Sequence, residues 1–408
     1  MTIQNKITTA IATGAVLAQV LSPLALADTQ IVENGALSTN VVNSSVNNTS
    51  VVTQNNAATI SNVVSSNSST GGNTADFNTN GNNTIVTGAA TNTTAITNNA
   101  NLNQATVNPC GNCGANAGDV KISGNGAASN NTVNQSVNAN NAADVTLTQN
   151  NVANVSNGVS ANASTGGNGT NFNTGGNNTI VTGAAMTGVS VENNLNQNRA
   201  LVGGAVAGAG SQGPDFLING NGALSTNVIN SVQDSAVVLV QNNLASVSNV
   251  VASNASTGAN QANFNTGGNT VIGTGMAKAV TIVDNAVNLN IAAVDCSCLL
   301  GGASDVKIAG NGASGLNVVN DNNNSVVFAT QLSAAGLLNG VGSNAATGAN
   351  ASGFGTGHVN SDPAIITGAA EDLTMVSTTS NANLYGTSTL PSALALSFNL
   401  GSIFGLIW

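Results

Sequence analysis

Cysteine is the residue type in this chain whose spacing most resembles a chemical site. Cys110 and Cys113 form a C-x-x-C pair before "DVKISGNGA", and Cys296 and Cys298 form a C-x-C pair before "DVKIAGNGA". Such pairs carry out redox chemistry, supply half of a zinc site or form disulfide bonds. We favour one local disulfide in each pair, as expected of an exported protein. The long separation of the two pairs speaks against a shared zinc site.

Other reactive residues are too few to form a catalytic site. His358 is the single histidine, and Glu371 with Asp372 is the one adjacent pair of carboxylates. Neighbours on a strand point to opposite faces, so this pair does not form an acid-base dyad. The glycine-rich turns lack the lysine of a phosphate-binding loop and do not follow the calcium-binding pattern of other β-rolls. The sequence therefore predicts no enzyme and no catalytic, cofactor-binding or metal-binding residues.

The composition restricts both the core and the partners. Of 408 residues only 5% are charged and 2% aromatic, and the formal net charge is −10. A core must therefore be thin and built from Val, Ile, Leu and Ala. Disorder is the first alternative for so polar a chain, but 41% of the residues are hydrophobic and recur in register. The scattered Lys and Arg residues argue against nucleic acid as a partner, because phosphate binding needs clustered positive charge.

The N-terminus has the pattern of a secretory signal peptide. Lys6 precedes the apolar run "ITTAIATGAVLAQVLSPLALA", which ends in a small-x-small motif before Asp28. We expect residues 1–27 to be removed, and the mature chain to be secreted or to lie at the surface of the cell envelope. Polar residues and Pro23 interrupt the run, so no transmembrane helix is expected in the mature chain.

Four long repeats fill the rest of the chain. Each repeat contains one aromatic residue in an otherwise polar phrase: Phe77, Phe172, Phe264 and Phe354. These four are expected to be the core aromatics of the repeats. The predicted boundaries are 28–108 for unit 1, 109–204 for a cysteine loop with unit 2, 205–294 for unit 3, 295–388 for a cysteine loop with unit 4, and 389–408 for an apolar C-terminal segment.

The apolar residues within each repeat alternate with polar ones, which predicts β-strands separated by glycine turns. A shorter step of about 22 residues also recurs, from Asn40 and Val42 to Asn62 and Val64. The prediction is an all-β, elongated β-solenoid of four repeats of about 92 residues, each made of about four coils of about 22 residues. Stacked coils would place Asn above Asn, with amide bonds along the stack. An Ig-like sandwich in each repeat is the structural rival, and it would need more aromatic residues.

The C-terminal segment 389–408 alternates large apolar residues with small ones and ends in Trp408. Two interpretations stay open. It either caps the open end of the solenoid, or it serves in sorting, anchoring to membrane or envelope, or self-association.

The phrases "NTGGNNTIVTGAA" and "VENNLNQN", together with the leader, resemble the Asn/Thr/Gly-rich repeat surface proteins of ultrasmall bacteria of the candidate phyla radiation. The resemblance implies a secreted or surface-attached, adhesin-like β-repeat protein, and it carries over no site residues. The first functional prediction is a structural or adhesive protein that presents a polar Asn/Thr surface, with itself or a host or neighbouring cell surface as partner. A curlin-like fibre subunit is the alternative, although the S-x5-Q-x-G signature is not met. An ice-binding protein ranks third, and a pectate-lyase-like enzyme ranks last.

Overall fold

The computed structural model describes residues 5–8, 29–46, 49–107, 119–137, 145–203, 216–294, 306–356 and 363–386. All regular elements in these ranges are β-strands. Every strand pair is parallel, so the chain returns to the same starting edge once in each repeat. The prediction of an all-β solenoid is confirmed.

Each long repeat forms one turn of the solenoid, which we call a rung. A rung contains a short first strand, a long strand that is broken in rungs 1 and 2, a short strand after a loop, and a return strand. In rung 1 these are β2 (Thr29–Val32), β3 (Thr39–Val46), β4 (Ser50–Ser69), β5 (Asn83–Val86) and β6 (Ala90–Val107). In rung 2 they are β7 (Val120–Ser123), β8 (Asn130–Val137), β9 (Val145–Ser164), β10 (Asn178–Val181) and β11 (Ala185–Val202).

In rungs 3 and 4 the long strand is continuous. Rung 3 contains β12 (Phe216–Asn219), β13 (Thr226–Ser256), β14 (Thr270–Gly273) and β15 (Ala277–Val294). Rung 4 contains β16 (Val306–Ala309), β17 (Leu316–Ala346), β18 (Ala364–Ile366) and β19 (Ala370–Gly386). One further strand, β1 (Asn5–Thr8), pairs with the rung-1 return strand at residues 94–97.

The register shows that the predicted 22-residue coils are wrong. Asn40 pairs with Asn131, and Asn62 pairs with Asn157, so each residue stacks on its equivalent one full repeat away. Positions 40 and 62 lie along the same long wall of rung 1. Because 22 is an even number, the shorter step returns to the same face of a strand without moving to the next rung. The shorter period therefore repeats along the strand direction and does not build coils.

The cross-section of a rung is a flattened loop with two long walls. The first wall is the long strand, which spans 31 residues in β13 and β17, or about 100 Å at about 3.3 Å per residue. The return strand runs back along it, as shown by the side-chain bond between Asn62 of β4 and Asn98 of β6. Four rungs at a spacing of about 4.8 Å extend the stack by only about 19 Å. The long dimension of the described molecule therefore follows the strands.

The core between the two walls consists of alternating apolar and polar layers. One apolar layer contains Val64 of β4 and Ile96 of β6 with their equivalents in the other rungs. The next layer contains Asn62 and Asn98, and the one after it contains Ile60 and Ala100. A core of this kind needs no large side chains, because two sheets that face each other through Val, Ile and Ala already exclude water from the amide layers.

The predicted core aromatics are wrong. Phe77, Phe172, Phe264 and Phe354 lie on the loop between the long strand and the next short strand, with 75%, 48%, 45% and 82% of their surface exposed. All four have left-handed backbone, with φ between 52° and 60°. That conformation turns the side chain away from the strand face. Among the described residues, the phenylalanine that is buried is Phe216 of β12, which packs with Ile122 and Ile229 at the other end of the rung.

Candidate functional site

A ladder of buried asparagine amides runs through the middle of the core. The Nδ2 atom of Asn62 donates to the Oδ1 of Asn157 at 2.7 Å, Asn157 donates to Asn249 at 2.7 Å, and Asn249 donates to Asn339 at 2.7 Å. A second ladder runs along the return strands and begins with Asn98. The Nδ2 of Asn98 also donates across the core, to the Oδ1 of Asn157 at 3.0 Å. Each amide thus bonds along the stack and across the core, which satisfies groups that would otherwise be costly to bury.

A left-handed asparagine interrupts each return strand. Asn101, Asn196, Asn288 and Asn381 have φ between 59° and 63° and take no part in the regular register, which passes from Leu195 to Gln197. Their side chains continue along the stack, with Asn101 donating to Asn196 at 2.8 Å. The interruption changes which residues point inward: Ile96 is buried before it, and Ala105 and Val107 are buried after it. Asparagine tolerates this conformation better than most residues do.

The outer face of the long sheet bears three further columns of asparagines, in which the upper residue donates to the lower one. The first column is Asn43, Asn134, Asn230 and Asn320; the second is Asn55, Asn150 and Asn242; the third is Asn67, Asn162, Asn254 and Asn344. Their side-chain bonds measure 2.7 to 2.9 Å. In rungs 1 and 3 the columns are twelve residues apart, or about 40 Å along the strand. The outer face is therefore a fixed lattice of amide groups.

The four exposed phenylalanines form a stacked column on the loop. Their ring centroids are 4.9 to 5.1 Å apart, and their planes are within 7° of parallel. In this geometry the ring edges lie on the surface, and the ring faces contact the rings of the neighbouring rungs. One face at each end of the column, on Phe77 and on Phe354, has no neighbouring ring among the described residues.

Carboxylates are sparse, and one pair lies on adjacent rungs. Glu192 of β11 is in register with Asp284 of β15, and the residues on either side of Glu192 along its strand point inward. Burial, and to a lesser extent the charge of Asp284, raises the pKa of Glu192. The adjacent carboxylates Glu371 and Asp372, which the sequence predicted to face opposite ways, have separate partners. Glu371 lies 3.4 Å from the Nζ of Lys278, and Asp372 accepts a bond from Ser343. The described residues contain no group of three or more His, Cys, Asp or Glu arranged to hold a metal ion.

Several predicted features lie outside the described residues. These are the cysteines Cys110, Cys113, Cys296 and Cys298, the histidine His358, nearly all of the leader 1–27, and the segment 389–408. The disulfides and the roles of the two terminal segments therefore stay predictions. Across the ranges that the structure covers, there is no helix long and apolar enough to cross a membrane.

The stacking of Asn on Asn with amide bonds along the stack, which the sequence predicted, is confirmed. That paired ladders lie inside the core was not predicted. Their signal was present in rung 1: Asn40, Gln54 and Asn62 have the same even parity as Val42, Val52 and Val64. Residues of one parity on a strand share a face, so the amides had to point where the valines point. The chain matches no protein-family model, no curated protein and no solved structure at a significant level.

Proposed function

We propose that this chain is a non-enzymatic structural or adhesive repeat protein that acts outside the cytoplasm, at the cell surface or after secretion. The observation that carries the proposal is the outer lattice of asparagine columns. Their amides are held by bonds of 2.7 to 2.9 Å to the neighbouring rungs, so the surface keeps a fixed spacing of donors and acceptors. A rigid polar array is suited to repeated weak contacts with another surface, whose affinities multiply when several contacts are made together.

The low charge of the chain supports the same role. Only 5% of its residues are charged, so exposed amides, hydroxyls and small apolar groups provide most of the contact chemistry. Binding through such groups depends little on salt, since charge screening acts mainly on ion pairs. The partner that this surface suits is itself polar and repetitive, such as the surface of a host or neighbouring cell.

Labelling of intact cells tests the proposal. An antibody, or a chemical label that cannot cross the membrane, should label the protein on intact cells that express the full chain. A chain that lacks residues 389–408 should be labelled equally if that segment is a cap, and should appear in the medium if it is an anchor. Labelling only after the cells are lysed would contradict the proposal.

A second function, a self-assembling fibre subunit, is favoured by a separate observation. The long strands at the two ends of the stack, β3 with β4 and β17, have no partner on their outer edges among the described residues. Unpaired edges of this length bind further strands unless something covers them.

A further inference from the structure

The two ends of the stack are complementary to each other. We infer that the rung-4 end of one molecule binds the rung-1 end of a second copy, head to tail, so that the parallel sheets continue from copy to copy. The inference rests on the structural role proposed above and names its partner. In the described residues the rung-1 edge is covered only at residues 94–97, where β1 pairs with β6.

The first argument is the polarity of the core ladder. Asn62 donates to Asn157, and each amide donates in the same direction up to Asn339. Within the described chain the Oδ1 of Asn62 therefore accepts no bond, and the Nδ2 of Asn339 donates none. A second copy stacked on rung 4 would bring its Asn62 Oδ1 to the Nδ2 of Asn339. The ladder of Asn101 and Asn381 has the same polarity and the same two open groups.

The second argument is the match of residue types between the ends. A copy stacked by one rung places each rung-1 residue on its rung-4 equivalent, and the amide positions coincide. The matched pairs are Asn40 with Asn317, Gln54 with Gln331, Asn62 with Asn339, Asn73 with Asn350, Asn101 with Asn381, and Asn103 with Asn383. Phe354 meets Phe77 in the same way, which adds a contact to the aromatic column.

The third argument comes from glycines at which neighbouring rungs touch. A Cβ on Gly258 would lie 1.7 Å from the carbonyl oxygen of Gly348 in the rung above, so only glycine fits. An added Cβ on Gly348 itself has nothing within 4 Å, and neither has one on Gly88 at the rung-1 end. A Cβ on Gly183, directly above Gly88, would lie 2.5 Å from the carbonyl carbon of Gly88. Both ends thus have the glycine that a stacked copy requires.

The fourth argument is that, among the residues that the structure describes, no like charges oppose each other in this register. The described acidic residues of rung 4, Asp321, Glu371 and Asp372, fall on the positions of Ser44, Thr91 and Asn92. Glu33 of rung 1 falls on Gly310. A head-to-tail contact does not close on itself, so repeated binding gives a filament. Its axial repeat is four rungs, or about 19 Å, with strands perpendicular to the axis.

The decisive experiment uses the purified mature chain, without residues 1–27 and so without the β1 strand that covers part of the rung-1 edge, and one added methyl group. Wild-type protein should form filaments as concentration rises, seen by light scattering and electron microscopy. Gly348→Ala should leave the monomer's circular dichroism and melting temperature unchanged, since nothing lies near that position. In the stacked register its Cβ meets the backbone of Gly71, so filament mass at equal concentration should fall by at least about tenfold.

Gly336→Ala is the matched control. Gly336 is also exposed in rung 4 with nothing within 4 Å, but its equivalents in the other rungs are Thr59, Asn154 and Ser246. That position accepts larger side chains throughout the stack, so filaments should form as in wild type. Equal filament formation by Gly348→Ala and Gly336→Ala would overturn the inference.

Crosslinking tests the register directly. In a chain with Asn67→Cys and Asn344→Cys, residues of successive copies would be about 4.8 Å apart, whereas within one copy they are three rungs, or about 14 Å, apart. Only the intermolecular distance allows a disulfide. Oxidation should give a series of multimers, with the peptides of positions 67 and 344 joined in mass spectrometry. Asn67→Cys with Asn320→Cys should give none, because these positions lie far apart along the strand.

Two results of these measurements would overturn the inference. One is a wild-type chain that stays monomeric at every concentration, with residues 389–408 protected from protease, which would show that this segment covers rung 4. The other is a crosslinked dimer in Asn344→Cys alone, which would show head-to-head contact. Neither result bears on surface labelling, so the proposed function would be judged separately.

Discussion

A single buried amide in this core takes part in several hydrogen bonds at once. Asn157 accepts from Asn62 and Asn98 and donates to Asn193 and Asn249. Removing this amide takes one hydrogen bond from each of its buried partners, and a bond left unmade at a buried group costs about 1–3 kcal/mol. The inner ladders therefore stabilise the stack more than the outer columns, where water replaces a lost partner.

We expect Asn157→Ala to lower the free energy of unfolding by about 3–5 kcal/mol, because each of its four buried partner amides loses one hydrogen bond. Asn55→Ala, in an exposed outer column, should cost less than about 1 kcal/mol. Urea denaturation followed by circular dichroism measures both. Similar losses for the two variants would contradict the distinction between inner and outer ladders.

The exposed phenylalanines combine an unfavourable backbone with a favourable stack. Left-handed backbone costs a non-glycine residue about 1–2 kcal/mol, and an aromatic pair returns about 0.5–1.5 kcal/mol. Phe172 has a ring on each side. Phe172→Ala should therefore lower the free energy of unfolding by about 1–2 kcal/mol, whereas Phe172→Gly, which also relieves the backbone, should change it by less than about 1 kcal/mol. Denaturant titration of the two variants checks the order, and a larger loss with glycine would show that the backbone is not strained.

Glu192 makes stability depend on pH. Burial and Asp284 raise its pKa in the folded protein, so the folded state binds the proton more tightly than the unfolded chain does. The free energy of unfolding should then fall as pH rises from the ordinary carboxyl value through the raised pKa, and stay lower above it. Glu192→Gln should raise the melting temperature at pH 7 and leave it unchanged at pH 3, where both states are protonated. A gain that persists at pH 3 would point to packing instead of charge.

At the scale of the element, some turns require glycine because neighbouring rungs touch there. A Cβ on Gly166 would lie 1.7 Å from the carbonyl oxygen of Gly258, which is backbone and cannot move aside. By contrast, a Cβ on Gly158 in β9 would meet its nearest atom, the carbonyl oxygen of Asn62, at 3.8 Å, an ordinary contact. Both glycines are in rung 2, so they form a matched pair.

We expect Gly166→Ala to separate the loop from rung 3 and to lower the melting temperature sharply or prevent folding. Gly158→Ala should keep or slightly raise the melting temperature, because alanine lowers the entropy of the unfolded chain in a conformation it can adopt. Thermal melts of the two soluble proteins measure the difference. A mild effect of Gly166→Ala would mean that the rungs are less tightly stacked than the structure shows.

The sequence allowed the strands, the four repeats and the stacking of like residues to be predicted, because alternation and repetition are local signals. It did not reveal which of the two periods builds the rungs, since a step of 22 residues and a step of about 92 both preserve the face of a strand. It also placed Phe77 in the core on size alone. The left-handed backbone that turns Phe77 outward is a property of the loop, and residue type does not encode it.

At the scale of the whole molecule, each rung is a structural unit of its own, and equivalent residues of all rungs lie in register. Each rung contacts only its neighbours along the stack, so stability is expected to grow with the number of interfaces. Strands β13 and β17 are continuous and pair residue by residue, with Val240 opposite Thr330. A cut that joins Leu239 to Thr330 therefore builds one hybrid strand in which every inward residue stays inward.

Deletion of residues 240–329 should give a folded protein of three rungs. Thr330 takes the place of Val240, Gln331 that of Gln241 and Asn339 that of Asn249, so the ladders onto rung 2 are retained. Its circular dichroism should remain that of a β protein, and its melting temperature should fall because one interface is lost. Deletion of residues 240–328 leaves one extra residue in the strand. That slip turns Gln331 outward and Leu332 inward along the whole second half, so this chain should aggregate. If both deletions fold equally well, register is set by the loops and not by the inward ladders; if neither folds, the rungs are not independent units.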